Sequence, residues 1–564
     1  MALFLNFNRS FILIVLLSCQ LASALAANRY WVAGTAGVWN DPANWSATSG
    51  GPGGASVPGA ADVAIYDANG SGNCLINVSI SVQGIQIDAG YNGIITQQAG
   101  VSITIGNAGF SQAGGSFTGG DSGIDINSGT FTLSGGTFTS TSGILSVGGA
   151  FAVNVNLFSY NGGTFLHNLG TVQFDPDFTA CAQRIAIVTL TSSLTFNHLI
   201  VDVTNLSCVE DLFTFSGSNA VVAGNLTHAD GIFYSGTIEV LGNLFVQNDA
   251  DGGSGTILIN GSMNQNYSSS GSGRTAHVRI NKSSGIVSAS TSDFLVQQFT
   301  LDAGVFNAPT GVFRIGGAWT GNPTILTVTG GTFNHNSGTV RLDPSFSECA
   351  TRTATINVPG GITFYNLIVD VDNTGCTEDI LAVSGASTVI VANDFTQFDG
   401  FVNTGTIEVR GNVYLESGAD GGTATILMNG TTDQTYNNTS TARFAHLRVN
   451  KSSGVVNPGV GTTDFLVQQF TLDAGVFNAP TGVFRVGGSW VGNPTIFAIN
   501  GGTFNHNNGT VRIDPVFAEC ATRTATISTP LAVTFYNLIV DVDNTGCTED
   551  ILAVSGASTV IVAN

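Results

Sequence analysis

Apolar residues alternate with polar ones along most of this chain. Gly-Gly, Asn-Gly and Asp-Gly steps interrupt the alternation every eight to twelve residues. A period of two puts neighbouring side chains on opposite faces of a strand. In GTVRLDP, Val340 and Leu342 share one face, and Thr339 and Arg341 share the other. Sister stretches keep Val172/Phe174 and Val511/Ile513 on the apolar face, while the outward site varies as Gln173, Arg341 and Arg512. In YNLIVDV, Leu367, Val369 and Val371 share a face, and Leu447 and Val449 repeat the pattern. No long run of Leu, Ala, Glu and Lys at helical spacing accompanies these strands. The pattern predicts short strands joined by glycine corners.

The strands belong to repeats. Residues 363–393 and 534–564 are identical, and a diverged copy begins at Thr195. Cys181, Cys349 and Cys520 lie 168 and 171 residues apart, and Cys208, Cys376 and Cys547 keep the same intervals. A half-repeat is visible within each unit, because FYNLIVD at Phe364 returns as FAHLRVN at Phe444, 80 residues on. Short Gly-Thr-Phe units, such as GGSFTGG at Gly114 and GGTFTSTSG at Gly135, recur more often still. Short strands, glycine corners and an inward ladder of Val, Ile and Phe predict a right-handed parallel β-helix (β-solenoid) with an N-terminal cap. Tandem β-sandwich domains are the rival. They would need neither the Gly-Thr-Phe ladders nor an absence of Pro-rich linkers. The expected divisions are a signal peptide at 1–26, a Trp-rich cap at 27–95, and β-helix repeats at 96–280, 281–450 and 451–564, the last truncated.

The N-terminus sets the compartment. Arg9, the apolar run 11–17 and Ala24-Leu25-Ala26 read as an export signal with a small-residue cleavage site. A lipoprotein box ending at Cys19 is the weaker reading of the same segment. No later stretch is apolar and long enough for a transmembrane helix. Trp31, Trp39 and Trp45 are three of the five tryptophans and lie close together near the start. They read as a plug for the open end of a repetitive β structure, in preference to an exposed sugar platform. Charged residues make up only 9% of the chain and the net charge is -21, so nucleic acid and anionic membranes are poor partners.

WNDPANWS and VPGAADVAIYD near the start, then GGTFNHNNGTVRI, DQTYNN and TFYNLIVD, give the chain a resemblance. It resembles the repetitive exported surface proteins of bacteria, of the adhesin-like and autotransporter-like kind, over nearly all of the chain after the signal. The resemblance implies a β-helical stalk at the cell surface and no catalytic residues. The chain stops at Asn564, the position equivalent to Asn393, and reads as a piece of a longer protein.

Candidate chemistry is sparse. Each repeat has two cysteines 27 residues apart, Cys181/Cys208, Cys349/Cys376 and Cys520/Cys547, which read as disulfides in an exported protein. If a coil takes about 27 residues, the two members stack within disulfide reach. Cys74 is left over. His167, His335 and His506 sit in a recurring motif and could pair with Asp175, Asp343 and Asp514. Their presence in every copy favours a stacking ladder, with Asn334/Asn336 and Asn505/Asn507 at a coil corner. Asp249-Ala250-Asp251-Gly252-Gly253 resembles the start of a calcium loop but lacks the distal bidentate Glu, as does its sister at 418–422, so a turn is expected. Asn-x-Ser/Thr sequons, at Asn44, Asn225 and Asn429 among others, matter only if the source glycosylates. No catalytic, cofactor or metal residue is assigned, calcium being the one alternative. The expected function is a secreted or surface structural, adhesin-like protein whose partners are glycans or other surface components. A polysaccharide-cleaving enzyme, with Asp343, Asp370 and Asp372 on neighbouring coils, is the alternative.

Overall fold

The computed structural model describes residues 27–205, 209–373, 378–384, 388–438, 442–517, 519, 521–544, 549–555 and 559–564. The chain is a parallel β-solenoid of about 19 turns. Among the described residues every strand pairing but one is parallel; the exception joins Asn28–Trp31 to Trp45–Ser46 at the very start. Independent sandwiches would have closed their sheets with antiparallel pairs, so the rival architecture is excluded. The only helical element among the described residues is a single 3-10 turn, Pro42–Asn44.

The strands stack in three columns; the long coils give each column its own strand, whereas in the short coils one bent strand such as Leu244–Ile259 serves more than one column. Thr171–Phe178, Ile185–Leu190 and Leu194–Phe196 make one long coil. Its first two strands pair with the coil before, and all three pair with the coil after, so most backbone N–H and C=O groups find partners above and below. The inward positions are those that the alternation picked out: Val172, Phe174, Val340, Leu342, Val511 and Ile513 are all buried, as are Leu367, Val369 and Val371. Phe110, Phe131 and Phe158 stack on successive coils at 5.3 and 4.5 Å, and Phe117, Phe138 and Phe165 do the same at 5.1 and 5.7 Å. An identical residue on successive coils meets its own copy at the inter-strand spacing, which suits flat rings.

Coiling begins almost at once. Asn28 pairs in parallel with Val63, and Val63 with Gly84, so the segment 27–95 is already solenoid. The cap proper is the aromatic knot on its first coil. Trp31, Trp39 and Trp45 are fully buried, with Trp45 edge-on to Trp31 at 5.2 Å and to Trp39 at 4.8 Å. Trp31 Nε1 donates to Gly72 O and Trp45 Nε1 to Trp39 O. Rings buried in this way close the end of the core and cannot serve as an exposed platform.

Coil length changes within the repeat. Thr339 pairs with Asn366 and Thr353 with Ile380, offsets of 27, whereas Phe395 pairs with Val413 and Thr406 with Thr425, offsets of 18 and 19. The long coils carry extra corners; the short ones turn on glycine. The repeat is consequently not a whole number of coils. Climbing one column from Thr353 leads through Ile380, Phe401, Gly421, Phe444, Val467 and Val486 to Ile513. Ile513 is the sister of Leu342, which lies on the strand before Thr353. Each repeat therefore comprises seven coils plus one strand, and the same motif reappears one face further round. A climb from Ile185 likewise arrives at Arg341, the sister of Gln173 on the preceding strand.

Candidate functional site

The recurring histidines are turn pieces. His335 Nδ1 accepts from Ser337 N at 3.0 Å and its ring lies 5.6 Å from Tyr365; His506 does the same with Asn508 N and Tyr536. Asn336 and Asn507 adopt φ of 47° and 48°, a left-handed corner that Asn tolerates. Their side chains donate down to Ala308 O and Ala479 O. Asn334 donates to Asn307 Oδ1 and Asn505 to Asn478 Oδ1, each 27 residues back, so the corner carries an asparagine ladder. Neither His335 nor His506 touches the aspartate proposed as its partner.

Those aspartates belong to ion pairs. Asp343 is buried and receives Arg314 and Arg274; Asp514 receives Arg485, with Arg443 Nη1 at 4.0 Å. Asp370 sits one coil above Asp343 and is held by Arg341. The neighbouring-coil arrangement expected for Asp343, Asp370 and Asp372 is therefore present, but two of the three carboxylates are neutralised by guanidinium groups. The first repeat differs. Ser146 and Gln173 stand where Arg314 and Arg341 stand, and they donate to Asp175 and Asp202. Burial, then neighbouring carboxylates, raises the pKa of Asp175 and Asp202.

Spacing within single motifs did not reveal the main concentration of titratable groups. Glu378, Asp399 and Asp420 come from three successive coils, with one oxygen from each within 4.8 Å of the others; Glu210, Asp230 and Asp251 form the same cluster a repeat earlier. The 20- and 21-residue steps match the short coils. A detectable sign was the Asp-Gly pairs at 230, 251, 399 and 420. Asp420 shares a hydrogen bond with Glu378, and Asp251 with Glu210. Burial first, then the neighbouring carboxylates, pushes Asp420 and Asp251 up to about 7 and Asp399 and Asp230 up to about 6. The stretch 249–253, expected to be a turn, runs inside the strand Leu244–Ile259, where Gly252 and Gly253 bend it with φ of 84° and 118°. Its carboxylates thus meet partners from other coils and not from one loop.

Beside Glu378 and Asp420 lies a cleft of about 650 Å³, lined also by Ile380, Phe401, Asn403 and Arg443. Arg443 Nη1 donates to Gly487 O at 2.6 Å, so its fork is committed to the scaffold. A second acidic hollow, of about 320 Å³, adjoins Glu210 and Asp251 and includes Asn205 and Asn248.

Two buried lysines were also missed. Lys282 and Lys451 are each 2% exposed. Lys451 Nζ donates to Gly430 O, to Thr432 O at 2.8 Å and to Gln434 Oε1 at 2.7 Å; Lys282 is caged in the same way by Gly261, Met263 and Gln265. Burial lowers the pKa of both.

Among the expected disulfide cysteines, Cys208, Cys376, Cys520 and Cys547 lie outside the described residues. Cys181 and Cys349 are both partnered. Cys74 is free and buried, and Tyr66 donates to its sulfur at 3.3 Å. Burial pushes its thiol up to about 12, the tyrosine hydrogen bond opposing in part, which leaves it inert at neutral pH.

No helix among the described residues is long and apolar enough to cross a membrane. Comparison of the chain with family models, curated proteins and solved structures finds no match. Fold and site together define a parallel β-solenoid repeat protein with stacked carboxylates on its short coils.

Proposed function

We propose that this chain is an exported structural rod of adhesin-like type, displayed at a cell surface or secreted, that holds glycans or other surface components through many weak contacts. One observation carries the reading: the polar motifs that recur in every repeat are committed to coil-to-coil ladders, so the repeat builds length and a polar exterior. Repetition multiplies weak binding through effective concentration. The segment 1–26 would direct export. The disulfides Cys181–Cys208, Cys349–Cys376 and Cys520–Cys547 would cross-link adjacent coils. Their support is the register on either side: Phe178 pairs with Asn205 and Ile185 with Leu212, both offset by 27, and Phe346 pairs with Asn373 and Thr353 with Ile380 in the same way. Non-reducing peptide mapping should recover the three pairs; a Cys208–Cys349 link would contradict them.

The competing reading, a polysaccharide-cleaving enzyme, has one observation in its favour, the hydrogen-bonded carboxyl pair Glu378/Asp420 in a cleft. The test is to incubate the full chain with a polysaccharide panel, measuring retention on each polymer and release of reducing or unsaturated ends. Retention without release is expected. Release that disappears in Glu378→Gln would overturn the structural reading.

A further inference from the structure

The cleft between the short coils has a chemistry that the scaffold does not use. Its lining includes an apolar patch, half-buried Ile380 and Phe401. Two wall positions are glycines: a Cβ at Gly422 would come within 2.0 Å of Val402 O, and one at Gly488 within 2.6 Å of Gln468 Oε1. Glycine is required at both because the neighbouring coil packs directly against the backbone there. Its polar lining includes Glu378, Asp420 and Asn403, with Thr351, Thr423 and Ser489 beside them.

Charge balance narrows the occupant. Arg443 is already engaged by Gly487 O and sits 4.0 Å from Asp514, so it offers no free cation to an anionic ligand. Glu378, Asp399 and Asp420 would repel a uronate or a phosphate. The hydrogen bond joining Asp420 to Glu378 makes the two carboxyls act as a donor–acceptor pair. A surface with one apolar side and a mixed donor–acceptor edge complements a pyranose ring, which has a C–H face and a hydroxyl edge.

We propose that this cleft binds a neutral, hydroxyl-rich sugar ring, with Glu378, Asp420 and Asn403 taking the hydroxyl edge and Ile380 and Phe401 the C–H face. The sister positions one repeat earlier are Glu210, Asp251, Tyr234, Leu212 and Ile232, but the hollow there is lined by acids and asparagines alone, so the assignment is confined to the later repeat. This assignment rests on the glycan-binding reading above and gives it a location.

The test uses the full chain in calorimetric titration with neutral gluco-, manno- and xylo-oligosaccharides, with oligogalacturonate, and with calcium chloride alone. At least one neutral oligosaccharide should bind in the presence of a chelator. Glu378→Ala and Asn403→Ala, each checked for an unchanged β circular dichroism spectrum, should weaken that binding at least tenfold. Neutral-sugar binding that is indifferent to Glu378→Ala and Asn403→Ala would sink the cleft while leaving the glycan-binding reading in place. Binding of oligogalacturonate or calcium alone would overturn the assignment. Absence of retention on every polysaccharide in the panel would instead refute the glycan reading itself.

Discussion

At the scale of single residues, the least expected feature is an ammonium group inside a β-solenoid. Lys451 is held by carbonyl and amide oxygens from a single neighbouring corner and carries no carboxylate partner in that cage. Hydrogen bonds to a charged group contribute about 1.5–3 kcal/mol, and three oxygens lose their donor together if the ammonium is removed. Lys451→Met should therefore destabilise its repeat by roughly 3 kcal/mol, read as faster hydrogen exchange at the corner around Thr432; an unchanged exchange rate would mean that water replaces the ammonium without loss. Gly488 gives a second case. Its φ is 117° and an added Cβ would meet Gln468 Oε1 at 2.6 Å and Arg443 Nε at 3.0 Å. Gly488→Ala should cost about 2 kcal/mol through backbone strain and displacement of the guanidinium, and Gly317→Ala should cost as much at the sister site. Thermal melts of the two variants against the parent check both.

At the scale of the coil, stacked like charges tie stability to pH. Asp230, Asp251, Asp399 and Asp420 bind their protons at about 6 to 7, whereas an unfolded Asp releases its proton near 3.9. The native state therefore holds more protons than the unfolded chain in that window, and stability rises as pH falls from 8 towards 5. The histidines act in the other direction. Burial lowers His228, His277 and His446 to about 4, against the usual value near 6.5. Below about 6.5 the unfolded chain takes up protons that these rings refuse, and stability falls. The four carboxyls outweigh the three imidazoles throughout this range, so the histidines offset part of the rise without reversing it, and the calorimetric melting temperature should climb as pH falls from 8 to 5. Substituting Asp251 and Asp420 by Asn should abolish that climb, because the histidine trend then prevails. A melting temperature that rises steadily from pH 5 to 8 would contradict this account.

The same coils show which parts of the molecule the sequence reveals. Strand faces were legible because a period of two needs no tertiary information; Val340, Leu342 and their sisters are buried as the alternation requires. The asparagine ladder was legible because the two later copies supply the same residue, Asn334 and Asn505. The carboxylate clusters were hidden, since Glu378, Asp399 and Asp420 meet only when coil length drops to about twenty residues, and a 27-residue coil places them apart. The lysine cages were hidden for another reason. A lysine reads as solvent-exposed unless the corner that folds over it is already known.

At the scale of the whole molecule, about 19 turns stacked at the inter-strand spacing of about 4.8 Å give a rod on the order of 90 Å long. Small-angle scattering from the chain in solution should show that length, and far-ultraviolet circular dichroism should show under a fifth helix. A compact particle would be incompatible with continuous stacking. The extra strand in each repeat bears on how such a rod can change. Because a repeat closes one face beyond where it opened, the units are steps of a spiral staircase, not rungs of a ladder. Gain or loss of one repeat lengthens or shortens the rod and also turns everything beyond it by one face, so three repeats restore the original bearing. Docking points carried once per repeat thus look outward on all sides, and no single flank gathers them into a stripe along which two rods could lie together.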